Sequence, residues 1–103
     1  MTEIFIKRSS KKIPLPKYET TGSSGLDLTA NIEGSISIEP GKISIIPTGI
    51  SVSIPKNFEI QIRPRSGLAA KSQISVLNTP GTIDSDYRGE IKVILINLSE
   101  KVF

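Results

Sequence analysis

An acidic turn, GTIDSDYRGE at residues 81–90, holds the densest group of reactive side chains in the sequence. Asp84 and Asp86 lie there between two glycines, with Tyr87 and an arginine, and Glu90 directly follows the second glycine. The sequence contains no histidine and no cysteine, so a general acid or base must be Asp, Glu, Lys or Tyr. The turn therefore offers a carboxylate base beside an aromatic ring.

A basic turn, RPRSGLAAK at residues 63–71, complements the acidic one. It supplies guanidinium groups at Arg63 and Arg65, a hydroxyl at Ser66 and backbone donors around a glycine. These are the donors that a polyphosphate chain requires. Residues 66–72 are also the one predicted helix, with Ser66 as its N-cap. Free N–H groups at the start of that helix would add to an anion site.

A third turn, SSGLDLTA at residues 23–30, adds the carboxylate of Asp27, which can hold a divalent cation directly or through its water shell. Phosphate ligands, a carboxylate for a metal, a base and a ring together predict hydrolysis of a nucleotide. Singly, each has a plainer explanation: Arg63 and Arg65 as charges on a sheet edge, Asp27 as an exposed strand residue and Tyr87 as a half-buried hairpin aromatic. The three turns carry the prediction only as a set.

Short strands must position these turns. Alternation of apolar and polar residues predicts half-buried strands in GISVSI, FEIQIR, LDLTA and SISIE, and the richer apolar runs KISIIP and EIKVILINL suit deeper strands. Pro, Gly and Asn mark turns between them. With a single short helix, the pattern predicts an all-β sandwich or barrel.

The composition bounds the class of protein. At 103 residues the chain is expected to be one domain, 1–103, and its net charge of +3 owes part of its excess to the segment KRSSKK, which we interpret as a solvated arm. The absence of cysteine suits a reducing compartment, so we expect a cytoplasmic protein. No apolar run approaches about eighteen residues, so no membrane partner is expected. Five aromatic residues, without a stacking row on any strand, argue against a nucleic-acid partner.

The segments SSGLDLTA, RPRSGLAAK and NTPGTIDSDYRGE resemble the first three of five ordered motifs of the homotrimeric dUTP pyrophosphatases (dUTPases), in the same order and with similar spacing. The resemblance implies a jelly-roll-like β-barrel that assembles as a trimer with active sites at the subunit interfaces. It also implies hydrolysis of dUTP to dUMP and pyrophosphate with Mg²⁺ as cofactor. This reaction keeps uracil out of DNA and supplies dUMP for thymidylate synthesis.

The same resemblance divides the acidic turn into chemical and structural residues. Asp84 would be the general base that activates the water attacking the α-phosphorus. Tyr87 would pack on the deoxyribose, where a ribose 2′-hydroxyl would have to lie. We expect Asp86, Arg88 and Glu90 to be structural charges that hold the hairpin or a subunit contact.

The remaining site residues also follow from the resemblance alone. The uracil-accepting hairpin would comprise Asn78, Gly81, Thr82 and Ile83. The phosphate-binding turn, serving a substrate held mainly by a neighbouring subunit, would comprise Arg65, Ser66 and Gly67. Asp27 would lie near the water shell of Mg²⁺, and Lys92 would lie close to the substrate.

Two alternatives stay open: a dCTP deaminase of the same fold, which depends on a glutamate in a different sequence setting, and a truncated trimer that binds nucleotide without turnover. The sequence ends in NLSEKVF, where dUTPases continue with a core strand carrying an Arg and a Gln and then a Gly-rich, Phe-containing tail. These are the fourth and fifth motifs. We therefore expect either a fragment or a member truncated at its C-terminus with impaired activity, with unpaired backbone at a sheet edge.

Overall fold

The computed structural model describes residues 2–103, and within them the chain forms seven short strands and one helix. The strands are β1 (Phe5–Arg8), β2 (Ile43–Pro47), β3 (Ile50–Ser53), β4 (Ile60–Ile62), β5 (Ile74–Val76), β6 (Gly81–Ile83) and β7 (Lys92–Asn97). The helix α1 (Ser66–Ser72) lies between β4 and β5. This mostly β architecture with one short helix agrees with the prediction from strand patterning.

The strands pair in three antiparallel sheets. One has three strands in the order β2–β7–β5, and the other two are the pairs β1–β3 and β4–β6. The buried core cluster consists of Ile13, Ile50, Val52 and Ile91. Ile50 and Val52 belong to β3 and have the two-residue spacing that directs both side chains to one face of a strand. Ile6 of β1, Ile60 and Ile62 of β4 and Ile83 of β6 pack against this cluster, so the core joins the β1–β3 and β4–β6 sheets, with Ile91 directly before β7.

Two predicted strands are wrong. The segments LDLTA and SISIE lie outside any strand, although both alternate in polarity. Asn31, directly after the first segment, makes one backbone bond to β2, from its N–H to the Pro47 carbonyl, and the second segment exchanges a single pair of bonds between Ile38 and Phe103. A strand needs a continuous ladder of such bonds, and alternation in the sequence does not reveal whether a partner exists. FEIQIR forms a strand only from Ile60.

Two strands lie where none was predicted from alternation. β5 is only three residues long, and β1 takes in Lys7 and Arg8 of the basic segment that we interpreted as a solvated arm. β1 pairs in full register with β3, from Phe5 opposite Ser53 to Arg8 opposite Ile50. The charged side chains of this edge strand stay exposed, while its backbone completes the sheet.

The helix has the predicted bounds but not the predicted cap. Ser66 is its first helical residue, and the N-cap is Arg65, whose extended backbone (φ −81°, ψ 129°) is not accompanied by a side-chain cap hydrogen bond. The residue before Ser66 is thus the last extended one, so the serine hydroxyl is one position too late to act as the cap. α1 has seven residues, and no helix within residues 2–103 could cross a bilayer.

A buried asparagine fixes the end of β7. Asn97 is fully buried, and its side-chain amide donates to the carbonyls of Ile38 (2.8 Å) and Lys101 (2.7 Å). Its side-chain oxygen accepts from both the N–H (2.9 Å) and the hydroxyl (2.7 Å) of Ser99. One side chain therefore ties the segment before β2 and the segment after β7 to the central strand of the three-stranded sheet.

Candidate active site

A cavity of about 350 Å³ lies where β6 ends and β7 begins. Asp84 follows the last residue of β6, and Lys92 is the first residue of β7, so the two strands bring the acidic turn and a lysine to one place. The cavity is lined by Thr82, Ile83, Asp84, Tyr87, Glu90, Ile91 and Lys92. Five of these seven residues are site residues expected from the sequence: Thr82, Ile83, Asp84, Tyr87 and Lys92.

The turn between Asp84 and Glu90 is held by its own hydrogen bonds. The Tyr87 N–H donates to the Asp84 carbonyl (3.1 Å), and the Arg88 guanidinium donates to the Ser85 carbonyl (2.7 Å). The Tyr87 hydroxyl donates to the Glu90 carbonyl (2.8 Å). Within the described residues the Asp84 carboxylate makes no such bond, and it is exposed at the cavity. Its oxygens are free to accept from a water molecule.

The far end of the turn is anchored to the β2–β3 connection. The Glu90 carboxylate accepts the Gly49 N–H (2.9 Å), the Thr48 hydroxyl donates to the Ile91 carbonyl (2.6 Å), and the Ile91 N–H donates to the Ile50 carbonyl (2.8 Å). Glu90 thus has the structural role expected of it. Thr48 and Gly49 were missed by sequence reasoning, because Pro47-Thr48-Gly49 registered there only as a turn signal.

The uracil-accepting residues expected from the sequence also adjoin one another. A Cβ placed on Gly81 would lie 3.1 Å from the side-chain nitrogen of Asn78, so the absence of a side chain leaves room for that amide. β6, from Gly81 to Ile83, pairs with β4 along one edge only. Alternate residues of β6 therefore direct N–H and C=O groups away from β4, where they can meet the edge of a base.

A second cavity, of about 280 Å³, contains the other charged site residues. Asp27 and Arg65 both line it, and the Arg65 Nε lies 3.7 Å from the Asp27 Oδ1. This is the one ion pair formed within residues 2–103, and with the arginine side chain 70% exposed it contributes little to stability. Arg63 also lines the cavity and donates to the Gln61 side chain (2.7 Å).

The expected site therefore falls into two groups within one chain. No residue of the first cavity lines the second. Ser66 and Gly67 are exposed in the first turn of α1 and line neither cavity, although they adjoin Arg65 in the sequence. The expected base and ring line the first cavity, and of the expected phosphate-binding residues only Arg65 lines the second, together with Asp27.

The Asp27 carboxylate suits a metal ion whose other ligands are waters and phosphate oxygens. No group of three His, Cys, Asp or Glu side chains that could hold a metal occurs within residues 2–103. Mg²⁺ in nucleotide sites commonly uses one or two carboxylates, several waters and the phosphates of the substrate. Asp27 meets that lesser requirement, and the nearby Arg65 disfavours a bare cation directly on the same carboxylate.

Comparison with known proteins identifies the same family as the sequence motifs. The family model for dUTPase matches residues 11–103. A deoxyuridine 5′-triphosphate nucleotidohydrolase of Rickettsia bellii is 63% identical over 104 aligned residues, covering all of this chain and 69% of the relative. The corresponding protein of Caldanaerobacter subterraneus subsp. tengcongensis is 56% identical over 98 residues, covering 93% of this chain and 66% of the relative. The chain thus spans about two thirds of the length of these curated relatives.

Solved structures give the same fold. The dUTPase from phage phi11 of S. aureus superposes with a TM-score of 0.83 at 23% identity, covering 94% of this chain and 60% of that one. The dUTPase of Staphylococcus bacteriophage 80alpha gives 0.80 at 25% identity, covering 95% and 61%. These likenesses confirm the jelly-roll-like β fold. Because the family model covers residues 11–103 and the relatives are more than half identical, the chain belongs to the dUTPase family.

Proposed function

We propose that this protein hydrolyses dUTP to dUMP and pyrophosphate, with Asp84 as the general base. The observation that carries the proposal is the cavity that gathers Asp84, Tyr87 and Lys92 around the ends of β6 and β7. At about 350 Å³ it has the size of a small-ligand site. Membership of the dUTPase family, whose relatives bear the name deoxyuridine 5′-triphosphate nucleotidohydrolase, supports dUTP as the substrate.

Asp84 takes the proton of the attacking water. Its exposed carboxylate is not held by side-chain hydrogen bonds within the described residues, so both oxygens are available to orient and deprotonate that water. A carboxylate is a weak base for water at neutral pH, so most of the rate must come from charge stabilisation around the phosphates. Lys92, at the rim of the same cavity, supplies one positive charge for that purpose.

The base and the sugar are read by neighbouring parts of the same hairpin. The unpaired edge of β6 and the side chain of Asn78 offer hydrogen bonds to uracil. The Tyr87 ring, 43% exposed at the cavity, packs on the deoxyribose. A ribose 2′-hydroxyl would have to occupy the space of this ring, so the same contact discriminates against UTP.

The polyphosphate is bound by Arg65, Ser66 and Gly67 of a neighbouring subunit in a homotrimer. In one chain, Arg65 lies in a separate cavity from Asp84, which supports a site completed between subunits. Heterologous contacts between identical subunits close into a ring, as a cyclic trimer requires. Each ring of three would then contain three equivalent sites.

The cofactor of the proposed reaction would be Mg²⁺, bound together with the triphosphate of the substrate. Asp27 would hold Mg²⁺ through its water shell, beside the phosphates that Arg65 binds. When bound, the ion offsets negative charge on the triphosphate and on the pyrophosphate leaving group. Among the structural neighbours, an Asp-to-Asn mutant of the phage phi11 dUTPase coordinates a structural Mg(II) ion, and an Asp-to-Asn mutant of the phage 80alpha dUTPase was solved with dUpNHpp.

The test of the chemistry is Asp84→Asn with dUTP and pyrophosphate release as the assay. We expect kcat to fall on the order of 10²- to 10⁴-fold while nucleotide binding persists, because the amide keeps the shape and loses the base. Wild-type turnover by Asp84→Asn would show that another group is the base. Ammonia release from dCTP, measured in parallel, would instead identify a deaminase.

The test of the shared site is a mixture of two inactive variants, Asp84→Asn and Arg65→Ala. If the two residues act from different subunits, equimolar co-assembly restores about one quarter of wild-type activity, because each site needs an intact residue from each of two randomly drawn subunits. If they act from the same subunit, no site contains both intact residues, and the mixture stays inactive. The unmixed variants are the controls.

A further inference from the structure

The ring of Tyr87 lies directly against the backbone of Gly89. A Cβ built on Gly89 would lie 2.6 Å from the tyrosine oxygen, 2.8 Å from Cζ and 3.1 Å from Cε1. Gly89 is not among the residues with positive φ, so its backbone does not require glycine. A side chain at this position would meet the aromatic ring, so a substitution here requires the Tyr87 ring to shift.

The hydroxyl of the same ring is bound to the next residue. It donates to the Glu90 carbonyl at 2.8 Å, so the ring is located by a close contact with Gly89 and by a hydrogen bond at its tip. Two constraints on one side chain leave little freedom in its orientation. Tyr87 is nevertheless 43% exposed and is not packed into the core. Its position therefore depends on the peptide units of residues 89 and 90.

Those peptide units are held from outside the turn. The Glu90 carboxylate accepts the N–H of Gly49, which is buried and has φ 70°. A Cβ on Gly49 would overlap the Ile13 side chain, so this donor is fixed within the core packing. The Glu90 side chain thus connects the backbone that carries the tyrosine contact to a buried, closely packed residue in the β2–β3 connection.

We infer that Gly89 and Glu90 are positioning residues that set the discrimination between deoxyribose and ribose through the Tyr87 ring. This rests on the proposed function, in which Tyr87 packs on the sugar of dUTP. The role assigned to each is indirect, although Glu90 also lines the cavity. Gly89 acts by leaving space for the ring, and Glu90 acts by holding the carbonyl that the ring hydroxyl binds.

The kinetic test compares kcat/KM for dUTP and for UTP in Gly89→Ala, Glu90→Ala and Glu90→Gln. We expect Gly89→Ala and Glu90→Ala to lower the dUTP/UTP ratio on the order of 10- to 100-fold, with KM for dUTP rising more than kcat falls, because Asp84 is unchanged. Glu90→Gln keeps an oxygen for the Gly49 N–H and should keep the ratio near that of the parent. Tyr87→Ala, which lacks the ring, gives the largest expected fall in the dUTP/UTP ratio, against which the other variants are compared.

Gly22→Ala is the matched glycine control, because a Cβ at that exposed position meets nothing within 4 Å. It should keep the dUTP/UTP ratio of the parent. A ratio for Gly89→Ala equal to that of Gly22→Ala would overturn the inference, and so would a Glu90→Gln variant that behaves as Glu90→Ala. The first result would show that the space left by Gly89 does not position the ring. The second would show that the hydrogen bond to the Gly49 N–H does not position it.

A spectroscopic measurement tests the ring position without turnover. The sequence contains two tyrosines and no tryptophan, so in a Tyr18→Phe background Tyr87 alone gives the near-ultraviolet circular dichroism band of tyrosine. Gly89→Ala and Glu90→Ala should lose most of that band, whereas Glu90→Gln and Gly22→Ala should retain it. Retention of the band in Gly89→Ala would refute the positioning role. Absence of dUTP hydrolysis by the parent would refute the proposed function instead, and the band would still decide the position of the ring.

Discussion

The hydroxyl of Thr48 makes the most enclosed side-chain hydrogen bond beneath the candidate site, and replacing it by valine tests how firmly the site is anchored. Thr48 is 1% exposed; its hydroxyl donates to the Ile91 carbonyl at 2.6 Å and accepts the Ile50 N–H at 3.3 Å. Valine has nearly the same shape, so Thr48→Val creates no cavity. It removes only the polar contacts.

The expected cost follows from the groups left behind. A buried acceptor that loses its donor costs about 1–3 kcal/mol, and the longer bond to Ile50 adds less. We therefore expect Thr48→Val to lower the free energy of unfolding by about 2–3 kcal/mol. For a domain of this size that corresponds to a fall in Tm of about 10–20 °C.

The assay is thermal and urea unfolding at one fixed protomer concentration, because assembly makes Tm concentration-dependent. Thr21→Val, at an exposed position, is the matched control and should change stability by less than about 0.5 kcal/mol. Thr48→Ser keeps the hydroxyl and loses one methyl group, a loss of about 1 kcal/mol. A valine variant as stable as the wild type, or more stable than the serine variant, would show that the hydroxyl does not anchor the turn.

Two other expectations concern stability and metal dependence. Asn97→Ala removes four hydrogen bonds, although the Ile38 and Lys101 carbonyls each keep a second donor. We therefore expect the free energy of unfolding, measured in urea, to fall by about 2–3 kcal/mol. The control Asn57→Ala, at an exposed position, should lower it by less than about 0.5 kcal/mol. An Asn97→Ala variant with unchanged stability would contradict the role of that side chain. Removal of Mg²⁺ by a chelator should lower dUTP turnover at least about tenfold and leave Tm without substrate unchanged, since the described residues hold no three-ligand site. A chelator-induced fall in Tm would instead indicate a resident metal.

Local features were predictable where a contiguous stretch of sequence contains all the residues that define them. The bounds of α1, the strands at residues 50–53 and 92–97, and the gathering of Asp84 and Tyr87 all follow from contiguous motifs. LDLTA has the same alternation as a true strand but lacks a ladder, because pairing depends on backbone far away in sequence. Pattern shows which residues can form a strand, and only the fold shows whether they do.

The anchors of the site were not predictable for a related reason. Thr48 and Gly49 lie more than thirty residues before Asp84 and carry no reactive group, so their types suggest only a turn. Their role arises from two hydrogen bonds between distant parts of the chain, which bring the β2–β3 connection beside Glu90 and Ile91. The spacing of charges in the acidic turn could suggest that Glu90 is structural, but not which donor it accepts.

These contacts divide the acidic turn into two fixed ends and a functional span. One end is β6, paired in register with β4, and the other is Glu90 and Ile91, bound to the β2–β3 connection. Asp84 lies in the span and contributes no side-chain bond within the described residues, so Asp84→Asn should lose turnover at nearly constant stability. Thr48→Val should have the opposite effect and lower stability, because it loosens one end of the turn and leaves every reactive group in place. Chemistry and anchoring therefore belong to different residues of one short segment.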